Sequence, residues 1–144
     1  MAFSDVIQRA ILDHFLSTVF TAPGTWTPPA ALHVGLSSST PTSAGGNVTE
    51  PTGGSYARVE LTQAANPFPA ATGQDPAESD NPNDVVFPTA TADWLGGVNL
   101  THFVVYSAAT GGTFLGFGAL TTPQGVLNGN QARFPAGDLN FRAQ

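Results

Sequence analysis

The sequence contains no cysteine and no lysine, and only 10% of its 144 residues are charged. Without cysteine there can be no disulfide, no thiolate zinc site and no thiol nucleophile. Without lysine there is no Walker A lysine, no Schiff-base amine and no Ser-x-x-Lys pair. These absences remove many of the common catalytic and nucleotide-binding motifs.

The charges that are present have the wrong balance for nucleic acid or for anionic membranes. Four arginines face ten acidic residues, which gives a formal net charge of −6 and an isoelectric point near 4.5. Phosphate backbones and anionic lipids both require clusters of cationic side chains. The longest apolar run is also far shorter than the ~20 residues that span a bilayer. We therefore expect neither a nucleic-acid partner nor a membrane partner.

The scarcity of charge also predicts self-association. An ordinary soluble protein has roughly 25% charged residues, and these side chains keep free monomers apart. Here threonine, serine, asparagine, 16 glycines and 12 prolines must make up much of the exterior. Such a neutral surface is typical of a protein that covers part of itself with its own copies. Oligomerisation is the first functional expectation.

The length fits one compact domain, and only its opening segment has a helical pattern. Apolar residues recur there at steps of three and four, while Ser4 can cap the helix start and Asp5 favours its positive end. We predict a helix from about residue 4 to 18. Residues 1–20 are interpreted as a helix or arm packed on, or projecting from, a single β domain at residues 21–144. The segment lacks a basic leader and a small-residue cleavage site, so we do not expect a signal peptide.

After the helix the apolar period changes to two, which predicts strands. In residues 31–37, for example, Leu32, Val34 and Leu36 alternate with polar residues or glycine. A proline-rich loop is expected at 64–84. The remaining predicted strands are 55–63, 85–87, 98–107 paired with 113–120 across a five-residue loop, 131–134 and 138–142. This pattern predicts a mainly β fold, namely an antiparallel β-sandwich or jelly-roll-like barrel with one N-terminal α-helix.

Residue types that carry chemistry are present but are not arranged for it. His14, His33 and His102 are scattered without metal-ligand spacing, and the serines at 37–39 do not form a Gly-x-Ser-x-Gly elbow. We expect a non-enzymatic protein with no catalytic residue, no cofactor and no cofactor-binding or metal-binding residue.

Two binding alternatives remain open. The loop at 64–84 carries oxygen donors that calcium uses elsewhere, although their spacing is not that of an EF-hand, so a solvated loop is expected. These donors are Asp75, Glu78, Asp80, Asn81, Asn83 and Asp84. Exposed aromatic rings also stack on sugars, although packing inside the domain is the expected alternative. The rings concerned are Trp26, Trp94, Tyr56 and Tyr106.

Several short motifs have direct structural interpretations. Gly53-Gly54 and Gly111-Gly112 supply turn positions with positive φ, and Pro88 and Pro135 end strands. Asp93-Trp94 indicates a turn carboxylate followed by a large apolar anchor. Arg58 and Glu60 are expected on one face of their strand, each pairing with neighbours across the sheet. We interpret these motifs as requirements of the fold.

Five of these segments, in this order, resemble a widespread family of small tailed-bacteriophage virion proteins. The segments are 32–36 (LHVGL), 49–58 (TEPTGGSYAR), 87–94 (FPTATADW), 101–103 with 109–112 (THF and ATGG), and 133–137 (RFPAG). The similarity runs from about residue 4 to 141 and includes an initial helix of the type ending in ILDH. This chain departs from the family pattern in a longer loop at 66–84 and in Leu95-Gly96-Gly97-Val98.

The resemblance implies a protein made in the bacterial host cytoplasm and incorporated in the virion. Family members usually carry a tail-fibre-like label. Two roles follow as alternatives: a capsid decoration or cement protein that stabilises the head, or a tail-fibre or receptor-binding component that recognises a host glycan. The first is favoured because the sequence lacks a heptad, collagen or triple-strand repeat that would build a shaft. The expected partners are the chain itself, as a homotrimer, and the major capsid protein or other virion proteins.

Overall fold

A computed structural model describes residues 2–9, 11–12, 28–73 and 77–143 of this chain. Helical backbone occupies residues 5–9 and 11–12, and a short 3-10 segment spans Trp94–Gly97. The described residues form nine strands: β1 Ala2–Phe3, β2 Ala31–Ser37, β3 Val59–Thr62, β4 Ala77–Asp80, β5 Val85–Val86, β6 Leu100–Tyr106, β7 Phe114–Gln124, β8 Arg133–Phe134 and β9 Asn140–Ala143.

Five strands form one antiparallel sheet in the order β1-β7-β6-β2-β3. Two small antiparallel ladders, β4 with β9 and β5 with β8, complete the layered fold. The sheet is held together at its centre by the β6–β7 hairpin. Its loop turns at Gly111 and Gly112, which have φ of 61° and 76°, a region that glycine occupies without strain.

The core lies on the face of the large sheet that carries the alternating apolar residues. Val34 and Leu36 of β2 are fully buried there, as is Val105 of β6 at 1% exposure. Phe103 of β6 packs against Phe141 of β9, with ring centroids 5.7 Å apart. This contact brings the β4–β9 ladder onto the core face of the sheet. Phe87, Trp94 and Phe134 form the next part of the same cluster through edge-on ring contacts.

These observations confirm the mainly β, antiparallel prediction with a short N-terminal helix, although the sheets in the described part do not close into a barrel. The predicted strand at 31–37 forms with the same bounds. The predicted hairpin also forms, although β7 continues four residues beyond its predicted end, to Gln124.

Two of the predictions about strand positions were wrong. The strand predicted at 55–63 begins only at Val59, because Gly53, Gly54 and Ser55 all have positive φ and turn the chain before it. The segment 64–84, predicted as a loop without structure, contains β4. This strand pairs with β9 from the end of the chain, a partner that local patterning does not reveal.

The N-terminal segment is fixed to the sheet at its start. β1 pairs with β7, and Ile7 is only 6% exposed within the core. Ser4 caps the helix as predicted: its Oγ accepts a hydrogen bond from the Ile7 amide at 3.4 Å, and its carbonyl accepts one from Gln8 at 3.0 Å. The predicted continuation of the helix to residue 18, with His14, and the predicted boundary at 20/21 lie outside the described residues.

Candidate functional site

The most organised polar group in the described structure joins Glu50 to Arg58. Arg58 Nε donates to Glu50 Oε1 at 3.0 Å, and Arg58 Nη2 donates to Glu50 Oε2 at 2.6 Å. Arg58 Nη1 also donates to the carbonyl oxygens of Ala108, at 3.0 Å, and Gly111, at 2.8 Å. The Arg58 and Glu50 side chains are only 10% and 18% exposed. This Glu50–Arg58 clamp therefore ties the segment before β3 to the β6–β7 hairpin loop.

Tyr56 completes the clamp on its inner side. Its hydroxyl donates to Glu50 Oε1 at 2.7 Å and accepts a hydrogen bond from the Leu36 amide at 2.8 Å. Burial, reinforced by the negative charge of Glu50, raises the pKa of Tyr56 far above its usual range, so the phenol stays protonated. A Cβ at Gly35 would collide with the Glu50 carboxylate and approach the Tyr56 hydroxyl within 2.9 Å. The clamp therefore requires glycine at this position of β2.

The Tyr106 ring packs against the Arg58 guanidinium of the clamp. The Arg58 guanidinium carbon lies 3.5 Å from the centroid of the Tyr106 ring, a cation–π arrangement. Burial lowers the pKa of Arg58, but the hydrogen bond and the charge of Glu50 outweigh that effect and raise it overall. Burial, followed by the charge of Glu50, raises the pKa of Tyr106. Because each charged group is satisfied by its neighbours, the clamp serves structure.

Trp94 anchors the 3-10 segment 94–97 to the turn at Gly54. It is 1% exposed, and its indole N–H donates to the Gly54 carbonyl at 2.9 Å. The preceding residue, Asp93, accepts a hydrogen bond from the Asn128 amide at 2.8 Å. The prediction of a turn carboxylate followed by an apolar anchor is confirmed.

The sequence-based alternative of an aromatic sugar platform fails at Trp94, which is buried in the core. Tyr56 is half-buried and engaged by Glu50 and Leu36, and Tyr106 is half-buried beneath Arg58. Trp26 lies outside the described residues. The described aromatic residues of that set therefore do not form a free stacking surface.

The oxygen-rich segment that resembled a calcium loop is used for internal contacts. Asn81 is 2% exposed, and its Oδ1 accepts from the Leu139 amide at 2.8 Å. Its Nδ2 donates to the carbonyl oxygens of Asn83, at 2.7 Å, and Pro135, at 2.9 Å. In the part of the chain that the structure describes, which omits Asp75, no cluster of acidic residues or histidines is arranged for a metal ion.

The remaining acidic residues of that segment also have partners. Asn140 Nδ2 donates to Glu78 Oε2 at 3.3 Å and to Asp80 Oδ1 at 2.7 Å. Asp84 forms an ion pair with Arg133, and the hydrogen bond from Arg133 is the main cause of the lowered pKa of Asp84. The segment is therefore bonded to β9 through Glu78 and Asp80, and to β8 through Asp84.

Among the residues that the structure describes, the side chains of Ser37 and His102 bond to other partners than each other. Ser37 lies opposite His102 in the β2–β6 register, but its hydroxyl donates to the Ser39 carbonyl at 2.8 Å. His102 Nδ1 lies 2.8 Å from Thr101 Oγ1, and burial lowers the pKa of His102. His33 Nδ1 is buried and has no hydrogen-bond partner among the described residues. His14 lies outside them.

The described structure contains an apolar groove. Its volume is about 460 Å³, and it opens between the N-terminal segment, the start of β2 and the loop after β3. Its lining includes Phe3, Ile7, Leu61, Phe68 and Phe141. None of its lining residues is charged. Sequence analysis missed this groove, because its residues come from seven separate segments with no common period.

Comparison with known protein families identifies the family of this chain. The model of a family described as "Podophage GP4 fiber I protein gp80" matches residues 2–142. The chain belongs to this gp80 fibre family. No curated protein matches it. The match confirms the resemblance to tailed-phage virion proteins with a fibre-like label, and it supports a structural protein of the virion.

In this gp80-family protein, the segments that carried the resemblance supply internal contacts. Segment 49–58 contains Glu50 and Arg58, and 87–94 ends in Trp94. The expectation that Arg58 and Glu60 share one face of a strand was wrong for Arg58, which precedes β3 and bonds to Glu50, while Glu60 lies in β3 and is exposed. No helix within the described ranges of this gp80-family chain is long and apolar enough to cross a membrane.

Proposed function

We propose that this protein is a structural component of a fibre on the exterior of a tailed-phage particle. The observation that carries the proposal is the match of the gp80 fibre family over residues 2–142. The site geometry is consistent with it, because the charged groups of the clamp and of the oxygen-rich segment are engaged in holding loops together. Their role is to make a rigid domain.

Capsid decoration is the second candidate, and one sequence feature favours it. A fibre needs a shaft, whereas this chain has no heptad or collagen-like repeat. A domain of this kind would bind laterally to capsomers as a cement protein, with the major capsid protein as its partner. In either role we propose that the protein acts as a homotrimer, because its low charge favours self-association.

Localisation on the particle tests both candidates. Virions are labelled with an antibody fragment raised against the purified protein and imaged by electron microscopy. Label on the tail or its fibres supports the fibre proposal, and regular label over the head supports decoration. Intact, infectious virions that carry neither label nor the protein by mass spectrometry would overturn both.

A binding assay then separates attachment to the particle from attachment to the host. The purified protein is sedimented with particles that lack it and, separately, with host cells. A fibre or decoration protein cosediments with the particles. Saturable binding to cells that blocks infection would support the receptor-binding form of the fibre proposal, in which the ligand is a host surface glycan.

A further inference from the structure

One edge of the large sheet lacks a neighbouring strand over part of its length. β7 extends from Phe114 to Gln124, but β1 pairs with it only at Gly116 and Phe117. On that side, no other strand of the described residues pairs with residues 118–124, which we call the free edge of β7. Unpaired backbone donors and acceptors at such an edge can hydrogen-bond to an additional strand.

The register of β1 shows which backbone groups of β7 are unpaired. The Ser4 amide donates to the Leu115 carbonyl at 2.9 Å. Ala2 lies opposite Phe117 in the same register, and hydrogen-bonded pairs alternate along an antiparallel ladder. Phe117 therefore directs its N–H and C=O toward β1. Ala119, two residues farther along β7, is exposed and directs its own N–H and C=O to the same side, where β1 has ended.

A polar recess of about 210 Å³ lies along the same strand. Thr121, Thr122 and Gln124 line it from β7, and Arg133 and Asp138 line it from β8 and the turn that follows β8. Because residues of a strand are spaced by about 3.3 Å, a segment that pairs at Ala119 reaches the recess within two or three residues. The free edge and the recess therefore form one continuous surface.

The recess carries a carboxylate that has no counter-ion. Arg133 is bonded to Asp84. The Asp138 side chain, by contrast, forms no hydrogen bond or ion pair with any residue that the structure describes. The net charge of −6 also attracts a cationic partner and repels a second copy of the chain. The compact ammonium of a lysine, which donates up to three hydrogen bonds, matches this carboxylate and the hydroxyls of Thr121 and Thr122.

We propose that the free edge of β7 binds an extended segment of a second virion protein, and that a lysine of this segment enters the recess beside Asp138. Backbone hydrogen bonds at Ala119 align the segment, and the charge of Asp138 selects its side chain. Pro123 has no N–H and interrupts the donors of β7, so the contact is short and does not continue into an open-ended sheet. The inference rests on the proposed function only in taking its partner from the virion.

The first test measures the binding of a probe peptide in solution. A fluorescein-labelled heptapeptide of alternating lysine and valine should bind the purified full chain saturably, as followed by fluorescence anisotropy. The same peptide with glutamate in place of lysine should not bind, because Asp138 and the net charge repel it. A lysine peptide with an N-methylated backbone keeps its charge but loses its donors. It should bind at least about fivefold more weakly, the effect of losing one backbone hydrogen bond.

Two charge variants separate the recess from general electrostatic attraction. Asp138→Asn and Glu60→Gln each remove one negative charge from an exposed position, but Glu60 lies in β3 at the opposite edge of the sheet. Asp138→Asn should weaken binding of the lysine peptide by about fivefold, the upper value for an exposed ion pair. Glu60→Gln should leave the binding unchanged. Equal weakening by the two variants, or undiminished binding of the N-methylated peptide, would overturn the proposal.

Hydrogen exchange measured by NMR locates the peptide on the sheet. The Ala119 amide points to the side where β1 has ended, so it should exchange quickly in the free chain. A peptide concentration about nine times the dissociation constant should slow this exchange about tenfold, because only a tenth of the chains remains unbound. Protection confined to amides outside β7 would place the peptide elsewhere and contradict the proposal.

Cross-linking in intact particles identifies the natural segment. A carbodiimide joins a carboxylate to a neighbouring lysine amine as an amide, with net loss of water. This chain contains no lysine, so a product between Asp138 and a lysine must join it to a different protein. Peptide mass spectrometry of cross-linked particles should find this product. Cross-links to lysine through other carboxylates of the chain, with none through Asp138, would remove the recess as the contact.

The peptide experiments are independent of where the protein lies on the particle. A chain that is labelled on virions but does not bind the lysine peptide would refute the edge contact and leave the proposed function standing. A chain that binds the peptide through Ala119 and Asp138, yet is absent from virions, would do the reverse.

Discussion

Arg58 and Glu50 form a bidentate ion pair that is largely shielded from solvent. A second bonded arginine and carboxylate, Arg133 and Asp84, lie in the open, with side chains 64% and 35% exposed. The two pairs have similar chemistry and different burial. Breaking a shielded pair leaves an uncompensated charge in a poorly hydrated place, whereas water solvates the partner left by an exposed pair. The chain therefore contains its own control for the structural value of the clamp.

We expect Arg58→Ala to lower the free energy of unfolding by about 3–5 kcal/mol, because Glu50 loses its counter-ion. The carbonyl oxygens of Ala108 and Gly111 also lose their donor. The matched Arg133→Ala variant should cost only about 0–1 kcal/mol. Urea unfolding of the two variants measures both values. Similar losses at the two positions would show that the clamp is no more than a surface ion pair.

A second prediction compares two adjacent glycines in the turn before β3. Gly53 and Gly54 have φ of 78° and 56°, so alanine at either position costs about 1–2 kcal/mol of backbone strain. At Gly54, however, a Cβ would lie 3.0 Å from Trp94 Cδ1 and 3.0 Å from the Ala92 carbonyl, while at Gly53 nothing lies within 4 Å. Gly54→Ala should therefore cost about 1–3 kcal/mol more than Gly53→Ala.

Chemical unfolding of the two alanine variants measures this difference. Gly54→Ala should also change the near-ultraviolet circular dichroism, because it disturbs the ring environment of Trp94. Gly53→Ala should leave that spectrum unchanged. Equal stabilities and spectra would mean that the turn and Trp94 are not in close contact.

The sequence could predict the parts of the fold whose signals are local. β2 follows from alternation over seven residues, and the β6–β7 hairpin follows from alternating strands around Gly111-Gly112. The partner of Arg58 could not be found in this way, because Glu50 lies in an irregular segment without periodicity. β4 was missed because its residues, Ala-Glu-Ser-Asp, are poor strand formers, and the strand forms by pairing with the distant β9. Long-range contacts, rather than local preference, determine these elements.

The third prediction concerns the pH dependence of stability through His102. Burial lowers the pKa of His102 in the folded protein, while the unfolded chain titrates near its usual value of about 6.5. The unfolded state therefore binds a proton first as the pH falls. The contribution of His102 is fully present above about pH 6.5 and declines as the pH falls through the lower folded pKa.

We expect the unmodified protein to lose more stability between pH 7.5 and pH 5 than His102→Gln, which cannot titrate. Thermal melting at a series of pH values measures the two slopes. The bond to Arg133 lowers the pKa of Asp84, so the stability that Asp84 contributes is lost only below about pH 4. This loss lies outside the pH range of the His102 comparison. Parallel curves for the two proteins above pH 5 would contradict the prediction.

The last prediction tests whether the oxygen-rich segment holds the fold together by itself or through a cation. Asn81, which is 2% exposed, connects the segment to the last part of the chain by accepting from the Leu139 amide and donating to the Pro135 carbonyl, and it also donates to the Asn83 carbonyl within the segment. Asn81→Asp replaces the donating amide with a carboxylate facing two carbonyl oxygens. We expect a loss of about 3 kcal/mol or more, because the buried carboxylate has no counter-ion and faces the carbonyl oxygens of Asn83 and Pro135. Asn83→Asp is the matched control, since Asn83 is exposed and makes one side-chain bond, to the Ala65 carbonyl at 2.9 Å. It should cost about 1 kcal/mol.

Neither chelator nor added calcium should change the melting temperature of the unmodified protein, because the Asn81 oxygen already accepts from Leu139 and Asp84 is bonded to Arg133. A ligand that binds only the folded state raises the melting temperature as its concentration rises. A saturable rise with calcium would therefore replace the hydrogen-bonded cross-link by a cation site.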